Sequence, residues 1–184
     1  MAARRQTYAA LLRGVNLGSH NKVGMPSLRA LVEELGGEQV ATYLQSGNVV
    51  FASRRAAPTL RRALETALER DLGIRAAVLL RTRAELRKLT RANPYADRVD
   101  DPRRLHVIFL EAAPSRSRLG AFDRHEFAPD EFQIVGRDVF AFYPRGYART
   151  KLTTATVEDH LGVTATSRNW RTVTAIAELA SNLG

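Results

Sequence analysis

The stretch VATYLQSGNVVFA, residues 40–52, decides the fold. Val40–Leu44 and Val49–Ala52 are β-prone runs, and Gln45-Ser46-Gly47-Asn48 between them holds residues that favour a turn. A helical pattern flanks this pair on each side. Upstream, Pro26 suits a first helical turn, Leu28, Leu31, Val32 and Leu35 recur at helical spacing, and Gly36-Gly37 stops the helix. Downstream, Pro58 opens a second helix with Leu60, Leu64, Leu68 and Leu72 inward, closed by Gly73. Outside both lie apolar runs that read as strands, Tyr8–Leu12 and Ile74–Leu80. The resulting βαββαβ order is that of a ferredoxin-like sandwich, with two helices over one face of an antiparallel sheet.

The rest of the chain starts a new α+β pattern. Thr82 and Glu85 make a capping box for a third helix with Leu86 and Leu89 inward, which Asn93-Pro94 ends. Residues 93–104, rich in Asp, Pro and Arg, are expected to be a linker. Leu105–Leu110 reads as a strand and Ser115–Phe122 as a short helix. Phe132–Val135 and Val139–Tyr143 read as a hairpin across Gly136-Arg137. Two helices follow, Thr153–Leu161 and one from about Trp170 with Val173, Ile176, Ala177 and Ala180 on one face. The expected architecture is α+β, a ferredoxin-like subdomain over 1–92 and a second α+β subdomain of similar order over 93–184. Sequence self-similarity between the two is not visible.

Composition narrows the classes. A chain of 184 residues with 45% hydrophobic and 26% charged residues is ordinary for a globular protein, long enough to bury roughly 70% of its unfolded surface. Cysteine is absent, so disulfides, thiol nucleophiles and thiolate metal sites are excluded. The formal charge is +9; residues 1–92 carry 16 basic and 7 acidic side chains, and residues 93–184 carry 12 of each. The excess therefore belongs to the N-terminal half, a one-sided field that attracts polyanions. Of the 28 basic residues 25 are Arg, which a GC-rich coding bias would also produce. No secretory signal is legible and no apolar run approaches a bilayer span, so the expected location is the cytoplasm, with no membrane partner.

Three polar segments are candidate sites. Arg13-Gly14-Val15-Asn16-Leu17-Gly18-Ser19-His20-Asn21-Lys22 leaves a strand and runs towards a helix N-terminus, a setting that favours anions. Arg13 and Lys22 add charge and Gly14 and Gly18 allow close backbone approach, while Gly and Asn equally serve the turns of a plain connecting loop. The loop has neither a Walker nor a dinucleotide-fold pattern, which leaves the cofactor unassigned. Gln45, Ser46, Gly47 and Asn48 form the second segment; Ser46 and Asn48 can equally bond their own backbone. In the third, Arg168, Asn169 and Trp170 combine a helix cap, a cation and the only indole, which could stack a base or anchor the helix. Upstream of it, residues 146–151 form another turn with basic and aromatic neighbours, Lys151 included. The four histidines are far apart without metal-ligand spacing, and no catalytic carboxylate pair or nucleophile elbow is present.

Together these segments resemble a bacterial domain of unknown function, DUF family 1697. The resemblance rests on LLRGVNLGSHNKVGMPSLRALVEELG (11–36), TYLQSGNVVF (42–51), NPY (93–95), RTKL (149–152) and SRNWRTV (167–173). It implies a two-part α+β fold and no established activity. By motif, Arg13, Gly14, Asn16, Asn21, Gln45, Ser46, Gly47, Asn48, Lys151, Arg168, Asn169 and Trp170 match its signature positions. Departures are Gly24 for Lys, Thr150 for Ser, Ser167 for Thr and Arg171 for Asn.

The leading functional expectation is a module that binds a phosphate-bearing ligand, nucleotide or nucleic acid, at a polar cleft formed by the three segments. RNA reading by aromatic strand positions is disfavoured, because the third strand offers only Phe51 and the strand before its turn Tyr43, without the family core such domains carry. One alternative is an enzyme with its site between the subdomains, Arg13, Lys22 or Lys151 acting as electrophilic groups and Gln45 or Asn48 as orienting amides. The other is a structural or assembly protein. Oligomeric state is not legible.

Overall fold

The structure is a computed structural model that describes residues 4–18, 21–98 and 100–183. It divides into two compact units, Met1–Arg87 with Ala175–Gly184, and Lys88–Thr174.

The first unit begins with β1 (Gln6–Leu12), α1 (Met25–Glu34), β2 (Glu38–Thr42) and β3 (Asn48–Ser53). It continues through α2 (Ala57–Leu72) and β4 (Val78–Thr82) into α3 (Arg83–Arg91). The strands pair antiparallel in the order β2-β3-β1-β4, the ferredoxin-like arrangement. Register sets the faces. Tyr8 lies opposite Phe51 and Ala10 opposite Val49, while Ala10 also faces Leu80 across the other edge. These residues pack in one apolar cluster with Leu28, Leu31 and Val32 of α1 and Leu60, Leu64 and Leu68 of α2. The alternate residues Ala9, Leu11, Val50, Ala52 and Leu79 are buried too, and so is Arg81. Strand β4 starts at Val78 rather than at Ile74 because pairing begins only where Leu12 meets Val78. Just before it, the Ala77 carbonyl accepts from the Arg13 amide at 2.9 Å. The capping box at Thr82 forms as its residues require: the Glu85 amide donates to Thr82 Oγ1 at 3.2 Å, and the Thr82 amide donates to Glu85 Oε2 at 2.8 Å.

The second unit repeats the plan. Its elements are β5 (Leu105–Leu110), α4 (Arg116–Ala121), β6 (Glu131–Val135), β7 (Asp138–Phe142), α5 (Thr154–Leu161) and β8 (Ala165–Asn169). Helix α6 (Trp170–Asn182) follows, and its residues from Ala175 onward belong to the first unit. Strand order is β6-β7-β5-β8, all antiparallel. Ile108, Leu110, Phe132, Val139 and Ala141 face Phe122, Phe127, Val157 and Leu161 in its core.

The structure adds a strand that the sequence does not signal: residues 165–169, Ala-Thr-Ser-Arg-Asn, show no apolar alternation, and their conformation is set by pairing with β5, His106 opposite Asn169. One expectation is corrected. Residues 93–104, expected to be a linker, lie within the second unit. Tyr95 is 5% exposed and stacks on Phe142 at 5.8 Å, while Arg98 lies 4.2 Å over the same Phe142 ring and pairs with Glu131 at 2.8 Å. No helix among the described residues is long and apolar enough to cross a membrane.

Candidate functional site

The polar segments of the first unit hold one another. Asn16 takes the left-handed conformation, φ 56°, and works from both ends of its amide. Its Oδ1 accepts from the Val23 amide at 2.9 Å; its Nδ2 donates to the Val23 carbonyl at 2.9 Å and to the Gln45 carbonyl at 2.5 Å. That last bond ties the loop after β1 to the turn before β3. Asn21, φ 51°, donates to the Gly14 carbonyl at 3.5 Å and accepts from the Asn16 amide at 3.0 Å. Asn48 is fully buried, and its Nδ2 donates to the Tyr43 carbonyl and to Ser46 Oγ, each at 2.8 Å. Gly47 packs beneath: a Cβ there would lie 2.5 Å from Val15 Cγ2 and 2.9 Å from Leu12 Cβ. Thus Gly14, Asn16, Asn21, Gln45, Ser46, Gly47 and Asn48 come together in one knot. Arg13 and Lys22 are exposed at its surface, as are Gln45 and the apolar Leu17 and Leu44. Ser19 and His20 lie outside the described residues.

Lys151, Arg168, Asn169 and Trp170 belong to the second unit. Arg168 is buried, with Nη1 donating to Thr166 Oγ1 at 2.9 Å and to the Ser167 carbonyl at 2.8 Å. Burial lowers its pKa to about 10, still well above neutrality, so the guanidinium stays charged. Asn169 caps α6, its Oδ1 accepting from the Thr172 amide at 2.9 Å. Trp170 is half-buried, its ring 6.4 Å from that of Phe140. Lys151 is exposed, its carbonyl held by Thr156 Oγ1 at 2.8 Å.

Asn169 also lines a cavity of about 510 Å3 that composition did not reveal. The other walls come from Asp101, Arg103 and Arg104 before β5, His106 on β5, and Arg145 and Tyr147 after β7. A β-turn presents Arg145: Pro144 fixes the first corner and the Gly146 amide donates to the Tyr143 carbonyl at 3.0 Å. Tyr147 lies parallel to His106, centroids 4.5 Å apart and planes 6° from coincidence. The buried Tyr143 meets both rings edge-on, at 5.2 and 5.3 Å. His106 bonds Ser167 Oγ through Nδ1 at 3.2 Å, and burial pulls its pKa down to about 4, against a hydrogen bond to the Arg103 backbone. The imidazole is therefore neutral at pH 7.

Charge in this cavity is one-sided. Asp101 holds Arg103 through two contacts, 3.0 and 3.1 Å, and lies 3.8 Å from Arg104. Hydrogen bonds from Arg103 keep the Asp101 carboxyl below its usual range. Three guanidinium groups thus face one carboxylate. Among the described residues no group of His, Asp and Glu is placed to hold a metal ion. The sequence signals for this site were the Asp-Pro-Arg-Arg run at 101–104 and the basic, aromatic turn at 146–151.

Comparison with known proteins agrees with the architecture. No curated protein matches the sequence. A solved structure of a conserved bacterial protein, SP0830 from Streptococcus pneumoniae, has the same fold at a TM-score of 0.76 and 24% identity, covering 96% of this chain and 99% of its own. The family described as "Protein of unknown function (DUF1697)" matches residues 5–140. That span includes β1 through β6, three of the five sequence segments that carry the resemblance (11–36, 42–51 and 93–95), and Asp101, Arg103, Arg104 and His106 of the cavity wall; the chain belongs to the DUF1697 family.

Proposed function

We propose that this chain binds a phosphate-bearing ligand and that the basic cavity of the second unit receives the phosphate. The observation that carries the reading is the charge balance inside one concave site: Arg103, Arg104 and Arg145 against Asp101, with His106 neutral. Guanidinium forks match phosphate oxygens in pairs, and Arg145 has no acidic partner among the described residues. Asn169 adds a donor. Its Oδ1 is committed to the α6 cap, which leaves Nδ2 as the donor this residue can offer. The cavity volume lies within the usual range for small-molecule sites.

Calorimetric titration with inorganic pyrophosphate tests this. Binding at 50 mM salt, weaker at 200 mM and weakened again by Arg145→Ala, is expected. Absence of binding at 50 mM salt, or an Arg145→Ala variant that binds as well as the parent, overturns it.

A weaker, sequence-independent attraction for polyanions is assigned to the first unit, supported by the exposure of Arg13 and Lys22 in the half that carries the charge excess.

A further inference from the structure

We infer that the ligand of the second unit's cavity is a free mononucleotide carrying a di- or triphosphate, its base stacked on Tyr147. The inference rests on the phosphate reading above and adds the other half of the ligand. Its basis is a preassembled ring ladder. Tyr143 is fully buried and anchored by its hydroxyl, which donates to the Leu152 carbonyl at 3.0 Å. His106 and Tyr147 both stand edge-on to it and lie parallel to each other. One face of Tyr147 is therefore covered by the imidazole, and the residue as a whole is 40% exposed, which puts forward the opposite face as the surface for a base. An exposed aromatic face that is already held in position loses little freedom when a planar ring settles on it.

Location gives that face its meaning. Tyr147 lines the same cavity as Arg145, two residues before it and across one β-turn, and as Arg103 and Arg104. A ligand that uses both features needs a planar ring and an anionic tail a few ångströms apart on one flexible frame. A nucleoside diphosphate or triphosphate has this form. Every nucleobase offers a π-face, so stacking alone does not select among bases. A single-stranded oligonucleotide shares the chemistry, but three guanidiniums gathered in one cavity suit clustered phosphates better than phosphates spaced along a strand.

Calorimetry with the full chain separates these outcomes, using pyrophosphate, ADP and an eight-residue oligothymidine. ADP is expected to bind about 5- to 150-fold more tightly than pyrophosphate, the range that base–aromatic stacking supplies. Tyr147→Ala should bring ADP down to the pyrophosphate level without changing pyrophosphate itself, and Tyr147→Phe should keep the ADP preference. Equal affinity for ADP and pyrophosphate in the parent, or an ADP preference that survives Tyr147→Ala, overturns the inference while leaving the phosphate reading intact. Oligothymidine binding tighter than ADP also overturns it, in favour of a single strand. If neither pyrophosphate nor ADP binds, both readings fall.

Discussion

Replacing Gly47 with alanine tests how closely the turn 45–48 is seated on the loop after β1. Gly47 has φ 73°, and its Cβ would lie 2.5 Å from Val15 Cγ2 and 2.9 Å from Leu12 Cβ, a side chain and a strand position that are both buried. The left-handed backbone alone costs a non-glycine residue about 1–2 kcal/mol. Forcing a methyl into a packed site adds about 1–3 kcal/mol. The sum is about 2–5 kcal/mol, or roughly 4–20 °C in melting temperature for a protein of this size. Gly136→Ala supplies the control, because Gly136 has φ 65° in the β6–β7 turn but meets nothing within 4 Å. That variant should show the backbone cost and no steric one. Thermal unfolding of both variants by circular dichroism is the assay. A Gly47→Ala variant no less stable than Gly136→Ala would refute the packing argument, since both carry the same backbone penalty.

Other consequences can be measured on the same protein. Asn48→Ala strips donors from the Tyr43 carbonyl and Ser46 Oγ in a fully buried site, and should lower stability by about 1–3 kcal/mol in denaturant titration; an unchanged midpoint would speak against a structural role for this amide. Arg168→Ala should destabilise by about 2–4 kcal/mol yet spare pyrophosphate affinity, because its guanidinium serves Thr166 and Ser167 inside the fold, whereas Arg145→Ala should do the reverse. His106 also makes stability depend on pH. Its folded pKa, about 4, lies below the ordinary histidine value of about 6.5, so the unfolded chain binds the extra proton first. Its contribution is full above about pH 6.5 and is lost as the pH falls towards 4, by up to about 1.4 kcal/mol per pH unit. His106→Asn should flatten that part of the stability profile, and an equally steep profile in the variant would exclude His106 as its source.

What the sequence made legible follows from where the determinants sit. The hairpin over 40–52 and the helices after Pro26 and Pro58 were readable because each carries its own periodicity, turn chemistry and stop residue in one continuous stretch. Strand β8 was not, because Thr166, Ser167, Arg168 and Asn169 are polar and take their conformation from β5. The deeper likeness of the two units was hidden for the same reason. In each, the last strand carries a buried arginine, Arg81 or Arg168, followed at once by the residue that caps the next helix, Thr82 or Asn169. Sheet order is shared as well, yet the residues filling equivalent places differ enough to leave no visible sequence repeat.

The site was legible in fragments. The Gly/Asn loop and the Gln-Ser-Gly-Asn turn stood out as polar, and their meeting through Asn16 and the Gln45 carbonyl is a contact between residues 29 apart in the chain. Sequence spacing cannot show that most of these amides bond to their own surroundings. The cavity draws on residues 101–106, 144–147 and 169, three stretches that only the β5, β7 and β8 pairings bring side by side. Asn169 was recognised as a cap, and the turn at 146–151 as basic and aromatic. Their shared cavity required the sheet.

The most direct test of the account is nuclear magnetic resonance of the labelled protein during titration with pyrophosphate. Saturating shifts at Arg103, Arg104, Arg145, Tyr147 and the Asn169 side-chain amide are predicted, with residues of the first unit's knot unchanged. Shifts confined to Arg13–Lys22 and Gln45–Asn48, or none at the cavity residues, would contradict it.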